Sequence, residues 1–201
     1  MNSTRTFLIW TALAVAVGVP VFAAATSPLL AWRSPVYIAA GLAGVIAMAL
    51  MLFQPLLVAG YVPGLPANRA RYVHRWVGGT LVAAVVIHVA ALWVTSPPDV
   101  IDALLFVSPT PFSVWGVIAM WAVFASAGLA MMRRRLRLRV WRRAHTALAV
   151  TIVIGSVVHA LRIDGTMEPV SKAVLCLLLL LATLKVVVKK QVWTTRARQK
   201  P

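Results

Sequence analysis

RYVHRWVGGTLVAAVVIHVAALW, residues 71–93, decides the reading of this chain. The stretch is apolar over most of its length yet holds two histidines, His74 and His88, fourteen positions apart. The protein has four histidines. The other two, His145 and His159, lie in RRAHTALAVTIVIGSVVHALR, residues 142–162, at the same spacing. Fourteen steps of about 100° come to about 1400°, roughly 40° short of four full helical turns. Each pair therefore shares one helix face, its members about 21 Å apart along the axis. Two such helices side by side can clamp two flat cofactors, one above the other.

Composition says where the helices lie. Of the 201 residues, 61% are hydrophobic and 12% charged, against about a quarter charged in a soluble domain. Apolar runs recur at lengths that cross a hydrocarbon layer of about 30 Å. The expected fold is all-α: one polytopic membrane domain over 1–201, a six-helix transmembrane bundle. The net charge of +16 raises nucleic acid as a partner. It is set aside because the basic residues gather at the ends of apolar spans, where lipid headgroups account for them. Cys176 has no second cysteine to pair with and reads as a small packing residue.

The spans fall at about 7–25, 36–59, 74–95, 112–132, 144–162 and 170–188. VFAAAT at the end of the first resembles a signal-peptidase site. The apolar region is long for a signal peptide, so it is kept as a span with cleavage as the alternative reading. Pro55 predicts a kink in the second span. VIDALLFV, after Pro97 and Pro98, is a candidate for a segment lying along the membrane surface. The loop before the fifth span holds RRRLRLRVWRR.

With both termini, the loop before the third span and the loop before the fifth placed in the cytoplasm, every Lys and Arg except Arg33, Arg162 and Lys172 falls inside. Asp99, Asp102, Asp164 and Glu168 all fall outside. The positive-inside rule thus predicts both termini cytoplasmic. The third and fifth spans then run in the same direction, placing His74 level with His145 near the cytoplasm and His88 level with His159 further out.

An imidazole in hydrocarbon is costly unless a hydrogen-bond partner or a metal occupies its nitrogens. The bland reading of a membrane histidine is a hydrogen-bonded or interfacial residue. Two equal pairs on parallel helices favour axial ligation of haem iron instead, and a bis-histidine iron has no open position, which suits electron transfer. The candidate metal ligands are His74, His88, His145 and His159. Gly78, Ala84, Ala149 and Gly155 stand one turn from a histidine and offer the low side chains a macrocycle needs; such residues are also common in transmembrane helices. Arg71, Arg75, Arg142 and Arg143 flank the inner pair and Arg162 follows His159. They are candidates for haem propionates, beside the alternative that they set topology and meet lipid phosphate. Trp76, Trp93, Trp115, Trp121 and Trp141 read as interfacial anchors, and Met120, Met131 and Met132 as packing.

HRWVGG with the later His88, and WRRAH with the later His159, resemble the ferric reductase-like transmembrane domain family. That family covers the membrane part of ferric reductases and NADPH oxidases and the haem subunit of the periplasmic methionine sulfoxide reductase system. The resemblance is clearest over 58–188. It implies two b-type haems, His74 with His145 holding the cytoplasmic one and His88 with His159 the outer one. Family members that reduce iron or oxygen continue into a cytoplasmic flavin and nicotinamide domain. Here only a short tail follows the last span and no GxGxxG motif occurs, so flavin is expected only through a partner. The resemblance implies a separate flavoprotein or a quinol as donor, quinone being a further candidate cofactor, and a periplasmic redox protein as a candidate partner. Membrane lipid is the other expected partner and a bacterial inner membrane the expected location. The leading reading is a dihaem electron-transfer subunit, an oxidoreductase component rather than a complete enzyme. One alternative is a haem-binding anchor for a periplasmic oxidoreductase. Another, of a different class, is a non-redox transporter or scaffold, against which the spans hold no acidic residue.

Overall fold

The computed structural model describes residues 3–190; the tail at 191–201 used in the charge argument lies outside them. Among the described residues the fold is helical without strands. The helices are α1 (Ser3–Ala25), α2 (Pro35–Ala59), α3 (Ala67–Thr95), α4 (Pro97–Leu104), α5 (Ser113–Met131), α6 (Leu138–Arg162) and α7 (Pro169–Lys190). All but α4 are long and apolar enough to cross a membrane. The six expected spans are present, and the first part of VIDALLFV falls in the short helix α4. The fifth expected span is α6.

Local chemistry sets the helix ends. Ser34 caps α2, its Oγ accepting the Tyr37 N–H at 3.3 Å, with Pro35 at the first helical position. At the other end Gly60 takes the left-handed conformation, φ 71°, that a C-terminal cap favours. α2 continues through Pro55 as one helix. Glu168 opens α7, its two carboxylate oxygens accepting the N–H groups of Val170 and Ser171 at 2.8 and 2.6 Å. Lys172, one turn on and buried, donates from Nζ to the Ile163 carbonyl at 2.7 Å, tying α7 to the C-terminal end of α6.

α3 and α6 begin about two turns earlier than hydropathy alone predicts, at Ala67 and Leu138. Arg69, Arg71, Arg139 and Arg142 are helical although too polar to count as span. His74 and His145 consequently lie well inside their helices and not at fraying ends.

The packing is two helical hairpins with a brace. α2 packs along α3 and α5 along α6, while α7 crosses both α2 and α6. α3 and α6 share no extensive interface of their own. The core joins Met48, Met51 and Leu52 of α2, Leu81 and Ala84 of α3, Val123 of α5, Ile152, Val153 and Val157 of α6, and Leu175, Cys176 and Leu179 of α7. Leu175 and Leu179 are fully buried and one turn apart. α1 is peripheral, with only Pro20 and Ala24 buried. Phe7, Phe22, Leu181, Leu184 and Val188 face outward, as side chains in contact with lipid do.

Candidate functional site

The histidines stand on α3 and α6, and the His74 and His145 rings approach each other although the two helices share no extensive interface. At the level farther from the arginine cluster both rings are held in the same way. His88 Nδ1 donates to the Ala40 carbonyl of α2 at 2.7 Å, and His159 Nδ1 donates to the Phe112 carbonyl just before α5 at 2.9 Å. A carbonyl offers no proton, so each Nδ1 carries the hydrogen and each Nε2 keeps its lone pair.

Glycine makes both contacts reachable. Four residues after each accepting carbonyl stands a glycine, Gly44 after Ala40 and Gly116 after Phe112. A Cβ on Gly44 would lie 3.1 Å from His88 Nδ1; one on Gly116 would lie 2.6 Å from His159 Nδ1 and 2.7 Å from Cε1. The rings occupy the space that side chains would take.

Sequence reasoning missed these two glycines, although a signal exists. GVIAM at 44–48 recurs as GVIAM at 116–120. Read from that anchor, Gln54 and Ser126 stand at equivalent places, ten residues after each glycine, and the two fourteen-residue histidine pairs follow. The hairpins α2–α3 and α5–α6 thus share this short motif and the histidine spacing, and each supplies a histidine to each level.

At the arginine end the two hairpins diverge. The His74 and His145 ring centroids are 6.3 Å apart with planes at 76°. His145 Nδ1 meets Ser126 Oγ at 3.1 Å, whereas Gln54 Nε2 donates to the His74 backbone carbonyl at 3.4 Å and leaves the ring alone. His74 Nδ1 is buried without a partner among the described residues. Trp141 lies parallel to His145, centroids 5.1 Å apart and planes within 8°, and donates from Nε1 to the Leu129 carbonyl. Arg133 covers the Trp141 ring, its guanidinium carbon 4.9 Å from the centroid. Trp141, expected as an interfacial anchor, thus stacks on a histidine of the arginine-end level.

The other nominated residues are placed as follows. Arg71 is exposed, and Arg75 is exposed with its guanidinium over Tyr72. Arg143 is half-buried and its Nε is enclosed without a hydrogen bond. Arg162 is exposed in the last turn of α6. Gly78 faces Gln54, with ordinary contact distance for a Cβ, while Gly155 lets α6 approach α5 at Trp115 and Ala119.

Among the described residues no three of His, Cys, Asp and Glu converge, so the donor set is imidazoles in twos. Bis-imidazole haem asks for that set: one fixed ring from each of two separated helices, an accepting partner for the distal nitrogen, and cations nearby. The tautomer locked at His88 and His159, the glycine cradles and the enclosed, unpartnered Nε of Arg143 fit such a group.

These features define a multi-pass membrane protein with paired histidines on two of its helices. The family described as ferric reductase like transmembrane component matches residues 40–156, from the Ala40 carbonyl through most of α6. The match takes in more than half of the chain, and the protein belongs to that family, whose members generally bind haem. Comparison with curated proteins and with solved structures gave no match.

Proposed function

We propose that the protein is a dihaem b-type transmembrane electron-transfer subunit, with His74 and His145 ligating one iron and His88 and His159 the other. The observation that carries this reading is the matched pair at the outer level: two imidazoles, one from each hairpin, each with Nδ1–H fixed on a carbonyl and Nε2 left free. A structural histidine has no need of a neighbour shaped to its ring on both sides of the bundle.

Each residue then has a task. The Ala40 and Phe112 carbonyls fix ring orientation and raise the ligands' basicity. Arg143, with Arg71 and Arg75 at the same end and Arg162 at the other, meets the carboxylates of the porphyrin. Gly78 and Gly155 belong to the small-residue lining that keeps the helices close. The apolar core between the levels excludes water. Bound there, haem supplies one-electron ferric–ferrous chemistry with both axial positions filled.

The positive-inside distribution supports a cytoplasmic arginine end in a bacterial inner membrane, so that electrons enter near His74 and His145 and leave near His88 and His159. A membrane potential negative inside favours that direction by about 2.3 kcal/mol per charge per 100 mV. The donor is a separate flavoprotein or a quinol, in keeping with a family that works with flavin-type reductases. The acceptor lies outside, and a periplasmic oxidoreductase anchored by this subunit is the second form of the same reading. Proteoliposomes with a membrane-impermeant reductant on one side and an impermeant oxidant on the other test it. Electron flow that requires the protein supports the reading; flow no faster than in empty vesicles, with haem present, contradicts it.

A further inference from the structure

We propose that the cavity between the C-terminal end of α1 and the α6–α7 turn binds the headgroup of a zwitterionic aminophospholipid. The inference rests on the fold and is independent of the haem reading. The cavity has a volume of about 490 Å³, within the range of small-ligand sites, about 300–1,000 Å³. It lies where membrane-spanning helices end, at the side of the bundle away from the arginine cluster. Thr26 and Ser27, just past the last turn of α1, form one wall, and Asp164, Thr166, Glu168 and Lys172 the other. Thr166 packs toward α2, its Oγ1 3.8 Å from where a Cβ on Gly41 would stand.

Lys172 carries the argument. It is only 8% exposed, and its Nζ donates to the Ile163 carbonyl at 2.7 Å. An ammonium has three N–H donors, and this carbonyl takes one. Among the described residues no carboxylate is hydrogen-bonded to it. A buried cation without a counter-charge is costly, and the open space beside it is the cavity that Lys172 lines. The remaining donors call for an anionic oxygen there. Asp164 and Glu168 stand at the exposed rim. Glu168 is engaged by the N–H groups of Val170 and Ser171, which leaves Asp164 for a ligand cation.

A buried cation with an acidic rim selects a ligand whose anion sits deep and whose cation points outward. An aminophospholipid at this boundary has that order, its phosphate next to the acyl chains and its ammonium toward water. The phosphate accepts from Lys172, and the ammonium donates to the Asp164 carboxylate. Leu29 and Met167 add apolar lining. Phe22 of α1 and Val170 and Val174 of α7 are exposed on the flanking helices, a track for the acyl chains. A free phosphate or a purely anionic lipid satisfies Lys172 but sets a negative charge against the rim.

Native mass spectrometry of the detergent-purified full-length protein tests this, with phosphatidylethanolamine, phosphatidylcholine and phosphatidylglycerol of the same acyl chains. The wild type should hold phosphatidylethanolamine about tenfold more tightly than either of the others, the worth of one charge-assisted hydrogen bond. Inorganic phosphate should not displace it. Lys172→Met should weaken all three lipids. Asp164→Asn, at the exposed rim, leaves the Lys172 tie between α6 and α7 in place and so decides the matter even where Lys172→Met fails to fold. It should bring phosphatidylethanolamine down to the level of phosphatidylcholine, whose trimethylated nitrogen has no N–H to give. Equal retention of the three lipids, tighter binding of phosphatidylglycerol, displacement by inorganic phosphate, or a preference unmoved in Asp164→Asn would overturn the inference.

Discussion

A Cβ on Gly116 would lie 2.6 Å from Nδ1 of His159, closer than two such atoms can sit. The same ring nitrogen reaches past Gly116 to the Phe112 carbonyl at 2.9 Å. Glycine is thus needed here for the space it leaves, since this residue is helical and its backbone conformation is open to any side chain. Gly44 does the same for His88 with less constraint, at 3.1 Å.

That difference predicts graded effects. Gly116→Ala must displace the His159 ring from its carbonyl or spread α5 from α6, a strain of about 1–3 kcal/mol. The roughly 1 kcal/mol that alanine gains over glycine in a helix does not offset this. The variant should lose most of the haem held by His88 and His159. Gly44→Ala needs a shift of only a few tenths of an ångström and should keep stability near that of the wild type with partial haem loss. Haem content and thermal unfolding of both variants, measured side by side, check the ranking; equal behaviour would contradict it.

Leu179 is fully buried where α7 braces the two hairpins. Leu179→Ala should cost about 2–5 kcal/mol, because truncating a fully buried leucine leaves a cavity in the core. Unfolding followed by tryptophan fluorescence in detergent should show the loss. Leu181→Ala, on the outward face of the same helix, should show little.

Glu168 lies outside the spans, and the amide N–H groups of Ser171 and Val170 hold its carboxyl below the usual carboxylate range. A lowered folded-state value stabilises the fold above the unfolded-state value, and the contribution disappears as pH falls through the folded one. Wild type should therefore melt above Glu168→Gln at neutral pH, with the gap closing on acidification. A gap independent of pH would assign the effect to shape and not to charge.

What was legible in the sequence and what was not have a common physical cause. The spans follow from apolar length, and the histidine levels from the fourteen-residue period, because both are properties of a single helix. The start of α3 at Ala67 was hidden because arginine-rich turns look like loop to a hydropathy reading, yet backbone hydrogen bonding does not depend on side-chain polarity. Gly44 and Gly116 were hidden because their task is defined by a ring on another helix. Gly155, nominated from its place beside His159, packs against α5. Trp141 sits near a helix start like any interfacial tryptophan, and only the tertiary fold brings its face onto His145. The repeat of GVIAM would have pointed to the two glycines together.

The central claim is that four histidines hold two haems at two levels, and a reduced-minus-oxidised absorption spectrum with haem quantified per chain tests it most directly. The account predicts about two b-type haems per chain in the wild type, falling to about one in His88→Ala and in His159→Ala, with the remaining haem still reducible. A protein expressed with ample haem that carries none, or one that keeps both after His88 and His159 are replaced together, would contradict it.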